Sequence, residues 1–226
     1  MNGESKTVFH ALDLDRTLFD TSKLVQTLFE ALRLEDVQLS EELLHVNQEH
    51  EGAGTSFFIF EYLEEKLGDD GLKNLIKSIQ DAASPQEFLL PGAQERIAFS
   101  TSRPGWGVGI ITYGEKTSQT IKLKIGGLDH LPALITDSPQ KGALISSWQQ
   151  EDESYRLPRV FGGGLVDMVV LDDDKKEAFE LFPKQALGQW VTNASVGNDR
   201  TVGTLPDNVT KVPNLTASID YLNNTL

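Results

Sequence analysis

The sequence predicts an α/β fold: a doubly wound parallel sheet of Rossmann-like type with an inserted α-helical cap. Three observations lead there. Apolar runs of strand length recur at Thr7–Leu14, Val108–Thr112, Ala133–Thr136, Met168–Leu171 and Trp190–Thr192. Segments of helical period separate the later ones, and strands alternating with helices require a parallel sheet covered on both faces. A block from about 22 to 84 is helical by pattern throughout and interrupts this alternation directly after the first strand. The expected division is therefore a core of 1–20 and 89–226 with a cap insertion at 21–88.

Each element has its own signal. Val8, Phe9 and Leu12 give the first run a buried-strand character, and it ends in carboxylates. Leu24, Val25, Leu28, Phe29 and Leu32 fall on one helical face. Ser40, followed by Glu41 and Glu42, reads as an N-cap with acids in the first turn. Ser56 to Leu67 predicts a helix stopped at Gly68, and Leu72, Leu75, Ile76 and Ile79 predict the next. Pro91-Gly92 opens a helix to about Ser100, and Arg103-Pro104-Gly105 is a turn before the Val108–Thr112 strand. Thr117–Ile125 is a helix ended by Gly126-Gly127. Gln140–Gln149 and Lys176–Phe182 are helical by pattern, and Thr216–Leu222 is a closing helix.

Composition narrows the function. The chain has 226 residues, 39% of them apolar, which is enough to bury a core. Twenty basic against 34 acidic residues give a net charge of −14. Such a field repels nucleic acid, whose phosphates need clustered Lys and Arg. A small phosphorylated ligand remains compatible, because it needs only a local positive site or a bound cation. The absence of cysteine excludes disulfides, zinc-thiolate sites and thiol catalysis. No apolar run approaches the roughly 18 residues of a membrane span, so no membrane partner is expected. The polar Met1–Thr7 stretch and the break at Asp13 show no secretory leader, so a cytoplasmic location is the expectation. Oligomeric state is not legible.

The strongest chemical signal is Asp13-Leu14-Asp15-Arg16-Thr17, directly after a strand. The carboxyl ends of parallel strands line the crevice where such sheets bind ligands. Several carboxylates gathered there are costly unless a cation neutralises them, and a cluster of oxygen ligands alone suits Mg²⁺. Beside that ion a phosphate can approach a carboxylate despite like charge, and the carboxylate can attack phosphorus. Three later segments add to it. Thr112 ends a strand with a hydroxyl able to donate to a phosphate oxygen. Lys141 follows the Ala133–Thr136 strand with a point charge. Asp172 and Asp173 end another strand with more oxygen ligands.

In motif order and spacing, 7–20 and 88–222 resemble the haloacid dehalogenase-like superfamily of phosphohydrolases, many members of which carry a helical cap where 22–84 lies. Arg16 stands where many members have glycine, and no proline follows Lys141. The resemblance implies a Mg²⁺-dependent phosphatase acting on a small phosphorylated metabolite. Asp13 would be the nucleophile and Asp15 the general acid and base. Thr112 and Lys141 would hold the phosphoryl oxygens. The ion would be held by Asp13, the Asp15 carbonyl and Asp173, with Asp172 the alternative register within the acidic run and Glu177 a candidate outer ligand. An acid at the position of Asp15, which the dehalogenase branch lacks, points to the phosphatase side. A phosphomutase using the same two carboxylates is the alternative, and a non-catalytic protein binding Mg²⁺ or phosphate is a second class.

Other candidates are weaker. His45, Glu49 and His50 fall on one helix, but a histidine spacing of five turns the two rings to different faces. Gly105-x-Gly107-x-Gly109 precedes a strand rather than following one, so it fails the dinucleotide context. Gly162-Gly163-Gly164 reads as a turn. Ser195, His10 and His130 show no spacing of a Ser–His pair, and Phe57, Phe58, Phe60 and Tyr62 read mainly as cap core.

Overall fold

The computed structural model describes residues 6–53, 58–193 and 204–226. Contacts divide them into two units. One contains residues 1–19, 89–113 and 130–226, the other 20–88 and 114–129.

The first unit is built on β1 (Val8–Leu12), β2 (Trp106–Tyr113), β3 (Ala133–Thr136), β6 (Met168–Asp173), β7 (Leu187–Val191) and β8 (Val209–Val212). They form one six-stranded sheet in the order β3-β2-β1-β6-β7-β8, and every neighbouring pair is parallel. The chain moves outward from β1 to β3, then returns to lay β6 on the free side of β1. That reversal makes the β1–β6 boundary the switch point, where a crevice opens at the carboxyl ends of the strands. Register sets Leu12 opposite Asp172, so the residues that follow, Asp13 and Asp173, arrive side by side.

β1 is buried along its whole length. Strand alternation sends Phe9 and Ala11 to one face, into a core with Ile111, Val169, Leu171, Phe179 and Trp148. Val8 and Val170 face the other side, against Leu222 of the closing helix α7 (Leu215–Thr225). Asn214 caps that helix by accepting from the Ala217 N–H at 2.9 Å. The first unit also holds α4 (Ala93–Ser100), α6 (Lys141–Ser146) and a two-residue antiparallel pair, β4 (Tyr155–Arg156) with β5 (Leu165–Val166).

The second unit is helical: α1 (Thr21–Glu35), α2 (Val37–Ala53), α3 (Ile59–Ala82) and α5 (Lys116–Ile125). Leu24, Leu28, Leu32, Leu43, Phe60, Leu63, Leu75 and Ile79 form its buried stripe. Asp20 caps α1 through the Lys23 N–H at 2.9 Å. Asp36, not Ser40, begins α2: its carboxylate accepts from the Leu39 N–H at 3.0 Å, which leaves Ser40 inside the helix. Gly68, at φ 67°, interrupts α3 where a helix end was expected, and the chain resumes helix beyond it. Residues 114–129, assigned to the core from sequence, make their contacts in this unit because α5 packs against α3. Among the described residues no helix is long and apolar enough to cross a membrane.

Two expected helices are shorter. The Gln140–Gln149 segment is helical only as α6, and Lys176–Phe182 is a single 3₁₀ turn over Lys176–Phe179. The expected start of the third helix at Ser56, the side chain of His50, and residues Phe57 and Ser195 lie outside the described residues.

Candidate active site

Asp13 is the first residue beyond β1 and is 5% exposed. Its N–H donates to the Asp172 carbonyl at 2.9 Å, which continues the ladder one step past the strand and fixes where the carboxylate sits. Asp173 ends β6 alongside it and is also buried. Lys141, the first residue of α6, reaches both: its Nζ donates to Asp13 Oδ1, and to Asp173 Oδ2 at 2.5 Å. The other Asp173 oxygen accepts from the Lys175 N–H at 2.8 Å.

Gly142 lets α6 come close enough for this contact. A Cβ there would lie 2.4 Å from the Glu180 carbonyl oxygen and 3.1 Å from that of Ala178. Neither backbone atom can yield cheaply, so Gly142→Ala is expected to push α6 outward and carry Lys141 with it. The expected cost is roughly 1–3 kcal/mol of stability, read as a lower urea midpoint, together with a lower turnover number in the phosphatase assay below. Unchanged stability and turnover would show that α6 adjusts freely.

Ligand oxygens of Asp13, Asp173 and Asp174 lie within 4.8 Å of one another. Asp15 and Tyr113 help to wall the small cleft over them, which encloses about 30 Å³. That is the scale of an ion and its water rather than of an organic ligand. Burial raises the Asp13 pKa to about 6, the positive charge of Lys141 works against the shift, and the Asp173 charge adds to it. Asp13 is thus ionised at neutral pH. Asp174 is also raised, first by burial and then by the charges of Asp13 and Asp173. Burial alone lowers Lys141, but the two carboxylates override it and hold the ammonium above its ordinary range.

The donor set fits a hard divalent cation. Among the described residues Asp13 Oδ2 is buried with no hydrogen-bond partner. Asp13, Asp15, Asp173 and Asp174 bring four carboxyl groups, while Lys141 and Arg16, paired to Asp174 at 2.8 Å, bring two cations. The balance and the all-oxygen ligands are those of a Mg²⁺ site. Glu177 stands on the turn after β6, outside the group of three, with Oε2 buried and without a hydrogen-bond partner among the described residues.

The sequence assignment of Asp172 as a metal ligand is corrected. β6 runs on through Asp173 instead of ending at Leu171, so alternation sends Asp172 to the face opposite Asp173. There it is fully buried, and it pairs with Arg96 of α4 through two bonds, Nε to Oδ2 at 2.8 Å and Nη2 to Oδ1 at 3.0 Å. Ser218 donates to the same carboxylate at 2.9 Å. Arg96 Nη2 also lies 3.2 Å from His10 Nδ1; burial, and then the Arg96 charge, pull the His10 pKa down to about 2 and keep the ring neutral. Asp174 takes the place in the carboxylate group that Asp172 was expected to fill.

Thr112 is completely buried in β2, opposite Ile135. Alternation turns Tyr113, its neighbour, into the cleft wall. His45 pairs with Glu49 at 3.3 Å on the exposed face of α2, and His130 is exposed. Gly109 is a packing position, because a Cβ there would lie 2.5 Å from the Phe161 ring. Arg96 and Gly142 were missed in the sequence. Arg96 gives no signal in a single amphipathic helix, and the only hint at Gly142 is a glycine in the first turn of a helix.

This chain has the fold of the haloacid dehalogenase-like hydrolases. A protein of Burkholderia xenovorans LB400 assigned to those hydrolases superimposes with a TM-score of 0.57 at 15% identity, over 97% of this chain and 98% of that one. A Bacillus subtilis protein assigned as a hydrolase of the same group, and crystallised with magnesium, gives 0.55 at 12% identity over 97% and 100%. The L-2-haloacid dehalogenase of Xanthobacter autotrophicus gives 0.52 at 17% identity over 98% and 100%. No protein-family model matches the sequence, and no curated protein matches it.

Proposed function

We propose that the protein is a Mg²⁺-dependent phosphohydrolase that acts on a small phosphomonoester metabolite in the cytoplasm through an aspartyl-phosphate. The observation that carries this reading is the buried, unpartnered Asp13 Oδ2 at the edge of three converging carboxylates, with Lys141 beside it. Asp13, Asp173 and Asp174, with the Asp15 carbonyl, would hold the ion, which supplies positive charge against the phosphoryl group. Asp13 attacks phosphorus, a P–O bond to Asp13 forms, and the bond to the leaving oxygen breaks. Asp15 gives that oxygen its proton. Asp15 then takes a proton from water, the water oxygen bonds to phosphorus, and the Asp13–phosphorus bond breaks to release inorganic phosphate. Lys141 neutralises charge on the phosphoryl oxygens as it builds.

Asp15 also separates this reading from a dehalogenase, which needs no acid to protonate a halide. The test is hydrolysis of an aryl phosphate with and without Mg²⁺, alongside a thermal melt. Phosphate release is expected only with the ion, and saturation at about 100 times its dissociation constant should stabilise the fold by about 2.7 kcal/mol. Metal-independent turnover that survives Asp13→Asn would overturn the mechanism. Product analysis on a sugar phosphate separates hydrolysis, which frees phosphate, from the mutase alternative, which returns the phosphoryl group to the sugar.

A further inference from the structure

Arg16 sits in the left-handed region at φ 61°, a conformation that glycine takes at no steric cost and that a long side chain rarely adopts. The backbone is nevertheless held there from both sides. The Arg16 N–H donates to the Phe19 carbonyl at 2.8 Å, and its own carbonyl accepts from Asn193 Nδ2 at 2.7 Å. The side chain then spends its charge on Asp174, with Nη2 2.8 Å from Oδ2. Asp174 belongs to the carboxylate group beside the unpartnered Asp13 Oδ2. Its backbone is anchored separately, because its carbonyl accepts from Trp190 Nε1 at 2.9 Å. One half-buried carboxylate therefore faces two claimants, a guanidinium and the cation for which the group is built.

We infer that Arg16 is a built-in competitor for the metal ion, acting through Asp174 and setting the affinity of the site low. This rests on the metal reading above. A guanidinium cannot lose its charge in the accessible pH range, so the ion can draw on Asp174 only by sharing or displacing that pair. Asp13 and Asp173 are paired with Lys141, which is 3% exposed and locked in place, while the Arg16 side chain is 33% exposed and has solvent to move into. Metal binding thus exchanges Arg16 from Asp174 toward solvent. The position keeps a strained residue because its side chain tunes the site.

The test is a calorimetric titration with Mg²⁺ alone, and with Mn²⁺ alone, on the full chain. It compares wild type, Arg16→Gly, Arg16→Asn, Asp174→Asn, and each Arg16 variant combined with Asp174→Asn. Gly and Asn both accept a positive φ, so backbone strain is not the variable, and two variants guard against failure of one to fold. Each single Arg16 variant is expected to bind the ion on the order of tenfold more tightly. In the Asp174→Asn background the same changes should move affinity less than twofold. Equal tightening in both backgrounds would make Arg16 a distant charge rather than a competitor at Asp174. Unchanged or weaker binding in Arg16→Gly and Arg16→Asn would mean that Arg16 organises Asp174 for the ion. Either result overturns the inference while leaving the metal reading standing. No heat of binding in any protein, wild type included, would overturn the metal reading and this inference with it.

Discussion

Asp13→Asn is expected to abolish phosphate release, with a fall of about 10⁴-fold or more, as for loss of other covalent nucleophiles. The fold should survive, because Asp173 continues to hold Lys141 at 2.5 Å and burial already disfavours the Asp13 charge. Asp15→Asn separates the two carboxylates. It leaves the nucleophile in place but removes the group that activates water, so turnover should fall by about 10²–10⁴-fold. With an aryl phosphate, whose leaving group needs no proton, attack by Asp13 continues and the phosphoenzyme accumulates. Acid quenching and phosphoprotein detection should therefore find trapped phosphate in Asp15→Asn and none in Asp13→Ala or Asp13→Asn. Phosphoprotein in an Asp13 variant, or equal loss from both positions, would show that the roles are reversed or absent.

The largest effect on stability is expected on the opposite face of the sheet. Arg96 and Asp172 are both 0% exposed, and their two-bond pair is joined by Ser218, whose hydroxyl also lies 2.5 Å from Gln189 Oε1. Removing one partner strands a charge in a medium that solvates it poorly. Arg96→Met should cost about 3–5 kcal/mol, read as a lower urea midpoint. Replacing both, as Arg96→Met with Asp172→Leu, should recover much of that loss, because an apolar pair of similar volume leaves no charge unpaired. Arg96→Met should also impair turnover in the surviving fold, since the Asp172 carbonyl receives the Asp13 N–H and Asp173 is the next residue. A single-variant loss below about 1 kcal/mol would mean that water reaches the pair and that it is not a buried one.

Periodicity and punctuation carried much of the architecture because they are local. β3 spans the Ala133–Thr136 run, and α4 begins directly after Gly92. The β4–β5 pair is two residues long on each side, and β8, Val209–Val212, is four. Two residues have no period to detect, and β8 carries Thr210 and Lys211 between its valines, so these segments become strands only because a neighbour supplies hydrogen-bond partners. Asp36 displaced Ser40 as the cap of α2 because its carboxylate accepts the Leu39 N–H and the helix starts four residues earlier than expected.

The sequence by itself determined that carboxylates follow two apolar strands and that a lysine follows a third. Strand hydropathy and the position of Asp13, Lys141 and Asp173 just past it are properties of contiguous residues. Which member of Asp172-Asp173-Asp174 faces the site was decided only by tertiary structure. Opposite faces of a strand differ by a single residue, so the answer depends on where β6 ends and on its register with β1, with Leu12 against Asp172. The same holds for Arg96, which lies 76 residues from its partner, and for Arg16, whose departure from glycine is visible in sequence but whose contact with Asp174 is not. Charges far apart in the chain find one another only after the sheet has closed around them. Burial then sets what they do, because the same groups in water would pair weakly and shift little.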